Sequence, residues 1–129
     1  MSVFGIGIDV VEVSRIERMI EEYGVRFAEK VFTPGEREYC ESASRPALHY
    51  AARFSAKEAV AKALGTGIGA DLEWLDMEVR RRESGAPQLV LSGSGLRFAE
   101  ANGIVKVMIS LTHAKDYAAA NAVALTAPV

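Results

Sequence analysis

Apolar side chains alternate along Val3 to Val11. Phe4, Ile6, Ile8 and Val10 fall on one face, and Val3, Gly5, Gly7, Asp9 and Val11 on the other, which is the period of a strand. Two glycines beside Asp9 leave room on that face for another backbone or a ligand. The period then lengthens. Ser14-Arg15-Ile16-Glu17 has capping-box spacing and predicts a helix closing at Gly24, followed by a short helix over Val25 to Phe32. Thr33-Pro34-Gly35-Glu36 repeats the start signal, with Thr33 as cap and Pro34 at the first helical position. Polar residues 42–46 separate that helix from a long one, which runs into glycines at 65, 67 and 69. Leu48, Ala52, Ser55, Ala56, Ala59, Val60 and Ala63 make one half of the long helix small and mostly apolar, which predicts its core side. The other half carries Arg53, Lys57, Glu58 and Lys62, yet also Tyr50 and Phe54. A solvated face seldom has Phe at its centre, so some other surface should cover it.

The second half of the chain reads mainly as strands. Leu75 to Arg82 and Gln88 to Leu91 are predicted strands joined through Ser84-Gly85-Ala86-Pro87. Ser92 to Asn102 suits a helix closed by Gly103. Ile104 to Thr112 and Tyr117 to Leu125 form a predicted hairpin around Ala114-Lys115-Asp116. One strand, several helices and then mostly strands predict an α+β fold with a largely antiparallel sheet, as a single domain over residues 1–129.

Composition narrows the function classes. Half of the 129 residues are hydrophobic and a quarter charged, as in ordinary soluble globular domains large enough to fold without staples. A net charge of −2 gives no general basic character for nucleic acid; the run Arg80-Arg81-Arg82 is either a local positive patch or a strand edge with solvated arginines. The single cysteine, Cys40, excludes an internal disulfide and lacks metal-ligand spacing, which makes it a structural thiol in a reducing compartment. No apolar run has the length of a membrane span and the N-terminus lacks a signal pattern, so the expected location is cytoplasmic, without a membrane partner.

Three constellations carry candidate chemistry. Asp9 is a carboxylate near the end of an apolar strand, and also suits a turn before the next helix. Glu58 and Lys62 precede the glycine loop; as acid and base four apart they also make an ordinary surface pair, and Gly65 stands where a helix C-terminal glycine belongs. Ser110, Thr112 and His113 end a strand, where two hydroxyls and an imidazole are good phosphate ligands. Taken together, Asp9 and Glu58 offer carboxylates for Mg²⁺, while lysine and the glycine-loop amides offer phosphate contacts. That combination fits phosphoryl-transfer chemistry. The loop is no Walker A motif, since no Lys-Ser/Thr follows its glycines.

In order along the chain, four blocks resemble the holo-(acyl-carrier-protein) synthases, the small bacterial type of phosphopantetheinyl transferase. They are Gly7-Ile-Asp9 with Arg15, Arg53-Phe-x-x-Lys57-Glu58-Ala-x-x-Lys62-Ala with Gly-Thr-Gly-Ile-Gly, Gly85-x-Pro87, and Ser110-Leu-Thr-His113 with Tyr117-Ala. The resemblance runs from about residue 3 to residue 125 without a large insertion. It implies transfer of phosphopantetheine from coenzyme A to a serine of apo acyl carrier protein, with release of adenosine 3′,5′-bisphosphate. It further implies Asp9 and Glu58 as Mg²⁺ ligands, Lys62 at the pyrophosphate, and Arg53, Gly65, Gly67, Ser110, Thr112 and His113 around the nucleotide. Asp9 is the first candidate for the proton acceptor and Glu58 the second. Arg15, Met19, Arg26 and Phe27 match the family's carrier-docking positions, although Phe27 equally suits the core, and Glu17, Glu21 and Glu22 dilute the positive charge there. The family's homotrimer, with active sites between subunits, would have a neighbour and coenzyme A covering Tyr50 and Phe54.

Two other function classes remain distinct at this level. One is a Mg²⁺ enzyme acting on another nucleotide diphosphate, which only the adenosine pocket separates from the first. The other is a non-catalytic module that binds coenzyme A or carrier protein; paired carboxylates argue against it, and turnover decides. A structural protein would leave Asp9, Glu58, Lys62 and His113 unexplained together.

Overall fold

A computed structural model describes residues 1–128. The chain forms β1 (Ser2–Glu12), α1 (Val13–Tyr23), α2 (Val25–Val31), α3 (Pro34–Glu41) and α4 (Pro46–Leu64). A 3₁₀ turn at Trp74–Asp76 leads into β2 (Met77–Arg81), β3 (Pro87–Leu91), α5 (Gly93–Ala101), β4 (Ile104–His113) and β5 (Tyr117–Thr126). The strands make two antiparallel sheets, β1-β5-β4 and β2-β3, giving the expected α+β architecture. No helix among the described residues is long and apolar enough to cross a membrane.

Small residues on both partners let α4 lie directly on the three-stranded sheet. A Cβ at Gly5 would stand 2.0 Å from the carbonyl oxygen of Ala63, and one at Gly7 2.0 Å from that of Ala59. Ala118, Ala120, Ala122 and Ala124 of β5 are buried in the same layer. The packing has a simple register. Two residues along β1 advance about 6.6 Å and four along α4 about 6.0 Å, so successive rungs pair Gly5 with Ala63 and Gly7 with Ala59. The next rung brings Asp9 to Ser55, whose hydroxyl bonds to it.

Two apolar clusters meet along α4. One joins its C-terminal half to Leu72, Met77, Val79, Ala99 and the sheet, and the other joins its N-terminal half to Ile16, Phe27, Val31 and Phe32. Cys40 is fully buried in the second, where burial pushes its thiol up to about 12, as suits a structural cysteine. Tyr50 and Phe54 are covered too, but from within the chain. Phe32 packs on Tyr50 and Trp74 stacks on Phe54 at 5.2 Å, so neither ring awaits a neighbouring subunit or a ligand. Lys57 is buried on that same side. Its Nζ donates to Val31 O at 2.7 Å, Glu36 Oε1 at 2.7 Å and Trp74 O at 3.2 Å, which satisfies all three ammonium hydrogens. Glu36 in turn accepts from the backbone N–H groups of Thr33 and Val79.

The start signals divide. At Thr33 the capping box forms in both directions. At Ser14 it does not: α1 begins two residues earlier, with Glu12 as cap and no side-chain cap bond. β1 passes into α1 without a break, and Val13 N–H bonds to Asp116 O at 2.9 Å, so a distant carbonyl takes a helix-start donor.

Candidate functional site

Asp9 of β1 and Glu58 and Lys62 of α4 converge where the helix crosses the strand. Lys62 Nζ donates to Ile8 O at 2.9 Å and to Asp9 Oδ1 at 3.2 Å. Its side chain is 54% exposed and that of Asp9 16%, so this ion pair sits at the rim of the site. The expected helical pair between Glu58 and Lys62 does not form; the approach of β1 offers Lys62 a carboxylate and a carbonyl together. Burial raises the Glu58 carboxyl above its usual range, the nearby Asp9 charge raises it further, and Lys62 and Arg15 oppose both. Two carboxylates thus share a small volume with two cations at its edge. No group of three or more His, Cys, Asp or Glu assembles among the described residues. A carboxylate pair still fits Mg²⁺, which typically takes one or two protein carboxylates and completes its octahedron with water and phosphate oxygens.

The glycine loop takes the helix-capping reading of Gly65 and not the phosphate-binding one. Gly65 and Gly67 have φ of 75° and 63°, the left-handed region where glycine is favoured, and an added Cβ would meet nothing within 4 Å. The N–H groups of Gly65, Thr66 and Gly67 all turn back to Ala61 O, at 3.0, 3.2 and 3.4 Å. They close the C-terminus of α4, the negative end of its dipole, and do not form a phosphate cradle.

A second cluster lies on another side of α4. Arg53 is 3% exposed, its guanidinium 4.2 Å from the Tyr39 ring centroid, and its buried Nε has no hydrogen-bond partner. Arg81 donates to Tyr39 Oη at 2.7 Å. The rings of His49 and His113 are 5.5 Å apart. Burial pushes His49 below its usual range, and the positive fields of Arg53, His113 and Arg81 add to this. Arg53, Arg81, Gly85, Pro87, Thr112 and His113 line a cleft of about 280 Å³. Among the described residues no carboxylate pairs with either arginine of this cleft. Unpaired cations and an orphaned guanidinium nitrogen make it a candidate anion site. Ser110 lies apart, on the open sheet face in a depression with Ile8, Thr112 and Asn121.

Sequence reasoning placed Arg53, Thr112 and His113 in one group but missed Tyr39, His49 and Arg81. Arg81 stood in a run of three arginines, which gave a weak signal; Tyr39 gave none. The sequence alone puts Ser55 on the core side of the long helix, with no link to Asp9. On the other flank Arg15 and Arg26 are exposed and Met19 is half-buried, while Phe27 is buried against Phe32 at 6.1 Å between ring centroids. Tyr23 and Val25 at the α1–α2 turn are the exposed apolar groups there. Arg15 stands 5.7 Å from the Phe54 ring centroid, next to the carboxylate pair.

The sequence profile of the 4'-phosphopantetheinyl transferase superfamily matches residues 5–122. The holo-[acyl-carrier-protein] synthase of Chlamydia trachomatis serovar L2 is 50% identical over 121 residues, 94% of this chain and 98% of the relative. That of Geobacter sulfurreducens is 43% identical over 118 residues, 92% of this chain and 94% of the relative. Among solved structures, the Neisseria meningitidis synthase superposes with a TM-score of 0.91 at 33% identity, covering 97% of this chain and all of the other. The Bacillus anthracis synthase in complex with CoA (3',5'-ADP) gives 0.81 at 37% identity, with 97% and 98% covered. A carboxylate pair on one side of α4 and an arginine-lined cleft on another, on a fold shared along nearly its whole length, leave one assignment: the chain belongs to the 4'-phosphopantetheinyl transferase superfamily, among its holo-(acyl-carrier-protein) synthases.

Proposed function

We propose that this protein transfers phosphopantetheine from coenzyme A to a serine of apo acyl carrier protein in a Mg²⁺-dependent reaction that releases adenosine 3′,5′-bisphosphate. The observation that carries the reading is the convergence of Asp9, Glu58 and Lys62. Asp9 and Glu58 would hold Mg²⁺, which when bound neutralises charge on the diphosphate. Lys62, half-exposed and held only at the rim, is free to turn its ammonium to the diphosphate as a point charge. The serine oxygen forms a bond to the β-phosphorus, and the bond from that phosphorus to the bridging oxygen breaks. The electron pair leaves with adenosine 3′,5′-bisphosphate. The serine proton passes to Asp9, directly or through water; Glu58 is the alternative acceptor. Gly65 and Gly67 give the substrate close access without donating to it.

Arg53, Thr112 and His113 are assigned to the nucleotide's phosphates, joined now by Arg81, and Ser110 to the rim of the same ligand. Within one chain Glu58 and Lys62 face β1, whereas Arg53 faces Tyr39. A homotrimer would bring one copy's cleft to the next copy's carboxylates. Its support is the open face of the three-stranded sheet, where Ile6, Ile8 and Val10 are 71%, 72% and 64% exposed, a row of large apolar side chains that a second copy could cover. Arg15 and Arg26 would steer the acidic carrier protein, with Met19, Tyr23 and Val25 as apolar contacts and Phe27 supporting them from the core.

Intact-mass analysis of an apo acyl carrier protein incubated with this protein, coenzyme A and Mg²⁺ tests the reading. The expected result is a mass gain of one phosphopantetheine on the carrier serine, lost with EDTA and in Asp9→Ala and Glu58→Ala. Unmodified carriers in the presence of folded, coenzyme A-binding protein would sink it.

A further inference from the structure

We infer that Ser55 is a positioning residue for Asp9, holding one carboxylate oxygen so that the other is the one open to a cation. The inference rests on the reading of Asp9 as a Mg²⁺ ligand. Ser55 occupies the third rung of the contact between α4 and β1, after Ala63 over Gly5 and Ala59 over Gly7. At the first two rungs glycine leaves nothing to orient. At the third, a carboxylate side chain starts from the strand, and the helix presents a hydroxyl to it. Ser55 is fully buried, and its Oγ lies 2.9 Å from Asp9 O and 3.1 Å from Asp9 Oδ2. A hydroxyl has one hydrogen, which these two acceptors share.

The two oxygens of Asp9 therefore have unlike partners. Oδ2 faces a group sealed inside the protein, which cannot leave without exposing or stranding a polar atom. Oδ1 faces Lys62, whose side chain is half in water and can withdraw at little cost. A cation held there would take the place of Lys62 at Asp9, with Ser55 fixing the plane of the carboxylate through Oδ2. Hydrogen bonds to ligating carboxylates from outside the coordination sphere commonly matter by about 10–100-fold in metal affinity.

The test is Mn²⁺ binding, read from the electron paramagnetic resonance signal of the free ion, with coenzyme A at fixed concentration and a protein-free control. Ser55→Ala trades a hydroxyl for the best helix former, so its melting temperature should stay close to that of the wild type. Its Mn²⁺ affinity should fall about tenfold. Ser55→Cys, which keeps a weak donor of similar shape, should fall in between and serves as the test variant if Ser55→Ala does not fold. Unchanged Mn²⁺ affinity in the serine variants, with binding abolished in Asp9→Ala, overturns the role of Ser55 and leaves the metal site standing. Equal binding by wild type and Asp9→Ala overturns the metal site, and the inference with it.

Discussion

Lys57→Met should be among the most damaging single changes to the stability of this fold that leave backbone geometry alone. Methionine keeps most of the apolar stem but removes the ammonium. Glu36 then retains its two backbone donors and loses its counter-charge, with both side chains fully out of solvent. Val31 O and Trp74 O lose a donor as well. Breaking a buried pair from one side costs about 3–5 kcal/mol, because a charge is left in low dielectric without compensation. Glu36→Gln in the same chain removes that stranded charge, so the double variant should recover roughly 1–3 kcal/mol of the loss. Urea denaturation followed by fluorescence of Trp74, the chain's single tryptophan, reads both values by linear extrapolation. Trp74 stacks on Phe54 and its own carbonyl bonds to Lys57, so the probe sits on the element under test. Protein concentration must be held constant, since association would add to apparent stability. A loss below about 1 kcal/mol in Lys57→Met would refute the reasoning, as would a double variant no more stable than the single one.

Gly7→Ala forces a Cβ against Ala59 O and should destabilise the fold by about 1–3 kcal/mol or more in the same urea assay; wild-type stability would mean that α4 is not held so close to β1. Burial alone would raise the Asp76 carboxyl, but donors from Ser94 Oγ and the N–H groups of Glu73 and Gly95 outweigh it and hold the group below its ordinary 3.8. A depressed carboxyl stabilises fully above its unfolded value and loses that contribution as pH falls through the folded one. Acidification below about pH 4 should therefore weaken the wild type more steeply than Asp76→Asn, and parallel profiles of urea midpoint against pH would contradict this. Arg53→Ala should raise KM for coenzyme A by roughly 10–100-fold, the worth of hydrogen bonds to a charged group, with KM for carrier protein unchanged; steady-state kinetics with each substrate varied would decide. Ile8→Lys, on the open sheet face, should reduce the mass found by light scattering to that of one chain if that face joins copies, and an unchanged multimer would exclude it.

Much of the architecture was legible locally. The alternation along β1, the Thr33 capping box, the glycine closing α4 and the hairpin of β4 and β5 all rest on interactions within a few residues, and the chain states them directly. The residue types of Asp9, Glu58 and Lys62 are legible too, but their convergence joins β1 to α4 and belongs to the tertiary structure. Tertiary structure decided the rest wherever a second element competed for a group. Ser14 lost its capping role because Asp116, about a hundred residues away, supplies the carbonyl. Lys62 left Glu58 for Asp9 because β1 brings it two acceptors at once. The helical wheel groups Lys57 with Arg53, Glu58 and Lys62 on a face that some other surface should cover; α2, α3 and the 3₁₀ turn at Trp74–Asp76 are that surface, and they satisfy every hydrogen of its ammonium. The Arg53 cleft draws on α4, β2 and β4, whose members share no period and no neighbourhood in the chain. Periodicity specifies which face of an element is apolar. Which partner a polar group finds depends on long-range packing, because burial makes an unsatisfied donor or charge too costly to leave where local preference alone would put it.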